Sequence, residues 1–239
     1  MPPSGTDSEG LGTSAAPKRN VEVLVTGFGA FGSIKVNPSY EIVSRLPDQI
    51  SYDDSNGPSI TVRAYPEAIK VTYRNVFRLI PEIYTAQFPE VKFFVHVGVN
   101  NSTRRFQLER RGRKGPYSEA DVEGEKFDDE WENDDNEWGR VPDEIKTEID
   151  VDAIVEKLSR DGQWEVESSN DAGLFLCEFI YFNSMLIARR LRTSQGRQIR
   201  GVFLHVPPFL EEKELEKGRD ILVEIIKEIV KQEENQEES

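Results

Sequence analysis

The sequence holds one cysteine (Cys177), two histidines (His96 and His205) and two methionines in 239 residues. A lone cysteine excludes a disulfide framework. So few thiol and imidazole groups also exclude a metal cluster built from them. No apolar run approaches the ~18 residues that a membrane span requires. Residues 1–20 are rich in serine, glycine and proline and lack the apolar core of a secretory signal. A free thiol without an export signal predicts a cytoplasmic protein with no membrane partner. Basic excess is missing as well. Thirty Lys and Arg face 44 Asp and Glu, a net −14, so nothing favours a nucleic-acid partner.

The acidity is concentrated. Residues 119–137 carry eleven acids and one lysine, and 231–239 carry four acids and one lysine. The rest of the chain is close to neutral. This distribution predicts a disordered N-terminal tail at 1–20, a single domain over 21–230, and an acidic tail at 231–239. An acidic insertion loop of about 117–143 interrupts the domain and is too polar to pack.

Within the domain, VEVLVTGF at 21–28 is β-branched and apolar, as a strand buried on both faces should be. Asn37-Pro38 opens an amphipathic helix, with asparagine as cap and proline in the first turn. SITVRAY at 59–65 and KFFVHV at 92–97 read as further strands. Between them Ile69, Tyr73, Val76, Phe77, Ile80 and Tyr84 recur at helical spacing, with Pro81 expected to kink or end the helix. An irregular region then runs to about 145. Helical spacing returns at Ile154, Val155 and Leu158, followed by a strand at Trp164–Ser168 and a helix over roughly 172–191. IRGVFLHV is a last strand and ILVEIIKEIV a closing amphipathic helix. Strands alternating with helices predict an α/β fold with helices on both faces of the sheet.

Scarcity directs attention to Cys177. It lies near the predicted start of a helix, where backbone N–H groups and the dipole favour a thiolate. The competing reading is a small buried apolar residue. His205 ends the strand GVFLH before Pro207-Pro208, and carboxyl ends of strands gather functional groups in α/β sheets. His96, inside KFFVHVG, reads instead as a hydrogen-bonded core residue. One cysteine with a distant histidine is a nucleophile–base candidate that needs a third group to orient the imidazole. Glu109 is that candidate, a lone acid among Arg104, Arg105, Arg110, Arg111, Arg113 and Lys114. A surface ion pair would account for Glu109 equally well, and the basic cluster most simply balances the acidic loop.

Gly27, Gly29 and Gly32 have the G-x-G-x-x-G spacing of a dinucleotide site. Phe28 and Phe31 between them would crowd a pyrophosphate, and the helix begins only at Pro38. The two rings could wall a small flat apolar pocket or fill the core beneath the loop.

These segments resemble the pyroglutamyl peptidase type I (pyrrolidone-carboxylate peptidase) family of cysteine peptidases. VTGFGAFG with VNPS, HVGVNNSTRRFQLER, DAGLFLC and FLHVPP match its motifs in order. The resemblance implies a three-layer α/β/α sandwich with an open, twisted, mostly parallel sheet. It implies Cys177 as nucleophile, His205 as general base and acid, and Glu109 as the residue orienting the imidazole. Phe28 and Phe31 would clamp a pyroglutamyl ring, with Phe175 on the same pocket and Asn37 adding hydrogen bonds. The implied activity is hydrolysis of the bond after an N-terminal pyroglutamyl residue of small peptides, with no metal or cofactor; the sequence leaves the oligomeric state open, with a monomer as the expectation. Glu178 and Leu174 depart from other members and bear on pocket polarity. Two further readings stay open: a catalytically weak relative binding a partner through the acidic loop with Trp131 and Trp138, and a phosphorylase or hydrolase of similar fold acting on another small ring.

Overall fold

The computed structural model describes residues 19–52, 57–127, 140–162 and 164–237. Its strands are β1 (Asn20–Gly27), β2 (Gln49–Ile50), β3 (Ser59–Ala64), β4 (Phe93–Val99), β5 (Phe106–Glu109), β6 (Arg111–Arg113), β7 (Glu144–Lys146), β8 (Val166–Ser169) and β9 (Arg200–Val206). Its helices are α1 (Pro38–Val43), α2 (Tyr73–Glu82), α3 (Val151–Ser159), α4 (Leu176–Gln195) and α5 (Glu212–Glu237). Among the described residues seven strands form one sheet in the order β2-β3-β1-β4-β9-β5-β8, and β6 pairs with β7 apart from it. The centre is parallel, from β3 through β1 and β4 to β9, while β5 runs against β9 and β2 against β3. This is the expected α/β sandwich around a mostly parallel sheet.

Alternation along the strands divides the core in two. Val23, Val25, Val95, Val97, Val202 and Leu204 point toward Ile42 of α1, Ile154 of α3 and Ile225 of α5. Leu24, Phe94 and Phe203 point the other way, toward Val76 and Ile80 of α2 and Phe179 and Phe182 of α4. Residues near the carboxyl ends of β4 and β9 that share the second face, Gly98 and His205, are therefore covered by α4.

Several expectations need correction. The region before 145 is not wholly irregular, because it contains β5 and β6 and ends in β7. The N-terminal tail ends earlier than expected: Asn20 already pairs with Ser59 in the sheet, and Arg19 forms an ion pair with Glu233. Residues 231–237 continue α5 rather than forming a separate tail. Pro81 lies inside α2, and two residues later the helix passes into a π-helical turn, Ile83–Gln87.

The beginning of the acidic segment packs, contrary to expectation. The Asp121 carboxylate accepts hydrogen bonds from the backbone N–H groups of Tyr73 (3.1 Å), Glu123 (2.9 Å) and Glu125 (3.1 Å). It therefore ties the segment to the first residue of α2. Tyr117 and Phe127 then close an aromatic cluster with Tyr73 and Phe179, with ring centroids 5.1–6.1 Å apart. Net charge described the segment poorly, since one buried carboxylate with three donors and two rings suffices to anchor it. Trp131 and Trp138 lie outside the described residues.

Candidate active site

Strand register brings the predicted residues together. His205 on β9 stands between Gly98 on β4 and Gln107 on β5. Glu109 lies two residues beyond Gln107 on the same face, diagonal to His205. Because β5 runs against β9, Glu109 sits deeper in the sheet than the histidine. It is fully buried, and its Oε1 accepts from His205 Nδ1 at 2.9 Å. The surface ion-pair reading of Glu109 is thereby excluded. Its Oε2 has no partner among the described residues, so His205 is the only group there that directly balances the carboxylate. Tyr181 of α4 donates its hydroxyl to the Glu109 backbone carbonyl at 3.0 Å and pins the strand.

Gly98 leaves a gap beside His205, and Cys177 fills it from above. A Cβ at Gly98 would stand 2.8 Å from Cys177 Sγ and 2.6 Å from Phe203 Cζ. The sulfur therefore rests on the glycine, beside the imidazole. Burial alone would drive His205 below its ordinary value, but hydrogen bonds to Cys177 and Glu109, and their charges, outweigh it and push the imidazolium up to about 9. His205 thus carries its proton at neutral pH, with one ring nitrogen on the carboxylate and the other available to the sulfur.

Cys177 is the second residue of α4, as expected, but the helix begins at Leu176 and not near 172. Asp171 does not cap it. Its N-cap is Phe175, which offers no side-chain hydrogen bond, and the first helical bond back runs from Phe179 N–H to the Phe175 carbonyl at 2.9 Å. The first-turn N–H groups of Leu176 and Cys177 therefore have no acceptor within the helix.

An open cleft of about 220 Å³ reaches this point, lined by Phe31, Asn100, Gly173, Phe175, Cys177 and His205 among others. The Phe31 and Phe175 rings meet at this cleft with centroids 6.5 Å apart and planes tilted by 45°. Phe28 is not in the cleft. It bridges to Ile69 and lies in the core under α2. Asn37 is also committed elsewhere, donating to the Gly29 carbonyl at 2.9 Å and accepting from Ser39 N–H and Oγ. Its role is to shape the loop that presents Phe31. The same loop is no phosphate cradle: Phe28, Gly29 and Phe31 donate their N–H groups to Ser39 Oγ, the Ile69 carbonyl and the Ile34 carbonyl. Gly27 is required for packing, because a Cβ there would lie 2.6 Å from Tyr40 Cα of α1.

His96 is a core residue, as read. Its ring is held between Thr26 Oγ1 and Ser184 Oγ, each at 2.7 Å, and burial drives it down to about 3. Among the described residues, four arginines of the basic cluster pair with acids outside the segment 117–143. Arg110 pairs with Asp152, Arg111 with Glu144, Arg113 with Glu178 and Asp171, and Arg105 with Glu167. Gly98 and the Arg113–Glu178 pair were not read from sequence as parts of the site. A glycine inside a buried strand was the available signal for the first.

The profile of the pyroglutamyl peptidase family matches residues 21–230. The chain is 33% identical over 198 residues to pyroglutamyl-peptidase 1 of Mus musculus, covering 78% of each. It is 30% identical over 200 residues to the pyrrolidone-carboxylate peptidase of Thermococcus onnurineus, covering 83% of this chain and 89% of that one. The solved pyrrolidone carboxyl peptidase of Thermococcus litoralis shares the fold with a TM-score of 0.72 at 18% identity, over 90% of this chain and 96% of that one. The family and its relatives make the chain a hydrolase, and the solved structure shares its α/β fold. The chain belongs to the pyroglutamyl peptidase family.

Proposed function

We propose that this chain hydrolyses the bond after an N-terminal pyroglutamyl residue of peptides, with Cys177 as nucleophile, His205 as acid and base, and Glu109 orienting the imidazole. The observation that carries the reading is the family match over residues 21–230 together with Cys177 beside His205 in a cleft walled by Phe31 and Phe175. A blocked N-terminus presents no ammonium. An apolar slot between two rings suits the flat lactam, and no charged group is needed to receive it.

The sulfur attacks the carbonyl carbon that joins the pyroglutamyl ring to the next residue. First-turn N–H groups of α4 stabilise the oxyanion as it forms. His205 gives its proton to the leaving amine, the C–N bond breaks, and a thioester remains. Water then attacks the thioester while His205 takes up its proton, the C–S bond breaks, and pyroglutamate leaves with the Cys177 sulfur regenerated. Glu109 holds the ring in register and balances the imidazolium throughout. On this proposal the reaction uses the chain's own groups and one water.

Turnover of pyroglutamyl-aminomethylcoumarin, compared with the prolyl analogue, tests the reading. The prolyl substrate carries a charged amine and lacks the lactam oxygen, so a rate at least about a hundredfold lower is expected. Equal rates would remove the pocket assigned here. Within that pocket, Phe31→Ala should lower kcat/KM about tenfold or more, since partial burial of a ring against a phenylalanine is worth roughly 1–2 kcal/mol. Phe28→Ala should instead destabilise the fold by ~3–5 kcal/mol, as a core truncation does. Thermal melting alongside kinetics separates the two.

A further inference from the structure

Glu178 follows the candidate nucleophile directly and is fully buried. Four donors converge on its carboxylate. Arg113 supplies its backbone N–H at 2.9 Å, Nε at 2.7 Å and Nη2 at 2.8 Å, and Leu174 supplies its backbone N–H at 2.8 Å. Arg113 Nη2 also bonds Asp171, whose carboxylate accepts from the Gly173 N–H at 3.2 Å. Tyr117 of the aromatic cluster donates its hydroxyl to the Arg113 carbonyl. Through its backbone and side chain together, Arg113 thus joins β6, the Asp171–Gly173 turn, the first turn of α4 and the ring cluster.

What the network holds is unusual. Leu174 has φ of 38°, the one positive value at a non-glycine residue among the described residues, and it follows Gly173 at 89°. A leucine does not rest there unaided, because its Cβ crowds the backbone. Its N–H is fixed by Glu178, and the next residue is Phe175, the cleft wall opposite Phe31. A buried ion pair is a weak source of stability compared with apolar packing of the same volume. Four convergent donors instead specify a geometry.

We propose that the Arg113–Glu178 pair is a positioning device for the cleft: it locks Leu174 in its left-handed conformation and so sets the Phe175 ring against Phe31. The proposal rests on the peptidase reading given above and names the elements that shape its substrate slot. Neither residue touches the substrate. Cys177, seated on Gly98 within the helix, depends on the pair far less than Phe175 does.

The test uses the full chain with Arg113→Lys and Glu178→Gln, each examined by circular dichroism, fluorogenic turnover and iodoacetamide labelling. Arg113→Lys keeps the charge but loses the fork that spans Glu178 and Asp171. Both folded variants should show KM raised roughly tenfold with kcat and the Cys177 labelling rate within about threefold, as expected when binding shared equally by ground and transition states is lost. Adding Leu174→Gly to Arg113→Lys should recover part of the KM, because glycine adopts the conformation without support. Wild-type KM in a folded variant, or a KM defect that Leu174→Gly leaves untouched, would overturn the positioning role while the peptidase reading stands. Should Glu178→Gln fail to fold, Arg113→Lys carries the test, and loss of fold in both would assign the pair to the scaffold instead. An inactive wild-type chain would overturn the peptidase reading itself, and this inference with it.

Discussion

Cys177→Ala is expected to abolish turnover of a pyroglutamyl substrate, lowering kcat by roughly ten-thousandfold or more, as loss of a nucleophile does. The fold should survive, because the side chain is only partly buried and alanine is smaller. His205→Ala should be equally inactive but also less stable. It leaves Glu109 fully buried without its partner, a situation that costs ~3–5 kcal/mol in other proteins. Glu109→Gln retains a hydrogen-bond acceptor for Nδ1 but not the charge that favours the imidazolium. A trace of activity should remain, down by about a hundredfold to ten-thousandfold. Steady-state kinetics on purified variants, with melting curves beside them, check all three. Near-normal turnover by Cys177→Ala would mean that the nucleophile lies elsewhere.

Gly98→Ala should be nearly as damaging, although the position carries no chemistry. The added methyl would approach Cys177 Sγ to 2.8 Å and Phe203 Cζ to 2.6 Å, closer than side chains tolerate. Phe203 is fully buried and cannot swing aside. The sulfur must move, and a shift of about 1 Å at a reacting atom costs on the order of a hundredfold in kcat. Overpacking adds roughly 1–3 kcal/mol of destabilisation. Wild-type kcat in Gly98→Ala would show that the sulfur does not rest on this glycine during the reaction.

The central strands were legible because they are buried on both faces and read as unbroken apolar runs, as in VEVLVTG and KFFVHV. β5 was not. Its sequence FQLE places a carboxylate at a core position, and hydropathy has no way to mark a carboxylate buried to meet a histidine. Asn170 and Asp171 have the side chains of helix caps and place the expected start of α4 several residues early. In the structure Asp171 is engaged by Arg113, and Phe175 takes the cap position. Cys177 and His205 stood out by scarcity, and Glu109 through the order of motifs. Their meeting depends on the β5–β9 register, a long-range property. Phe28 and Phe31, three apart on one turn, could not be told apart locally. The bridge to Ile69 turns Phe28 inward and leaves Phe31 to the cleft. The acidic segment was judged by its charge, and the contacts of Asp121, Tyr117 and Phe127 make its first part integral to the wall behind Phe175.

The most direct measurement follows two rates on one sample from pH 6 to about pH 10: kcat/KM for pyroglutamyl-aminomethylcoumarin, and iodoacetamide labelling of the single cysteine read by intact mass. Partners hold the His205 proton up to about 9, above its ordinary value. The imidazolium that protonates the leaving amine is therefore present below that pH and lost above it. Turnover should fall as pH rises through about 9, while labelling of Cys177, which needs no acid, persists and is slowed by bound substrate. Turnover and labelling that rise together through that range, with no protection by substrate, would contradict the pairing of Cys177 with a protonated His205.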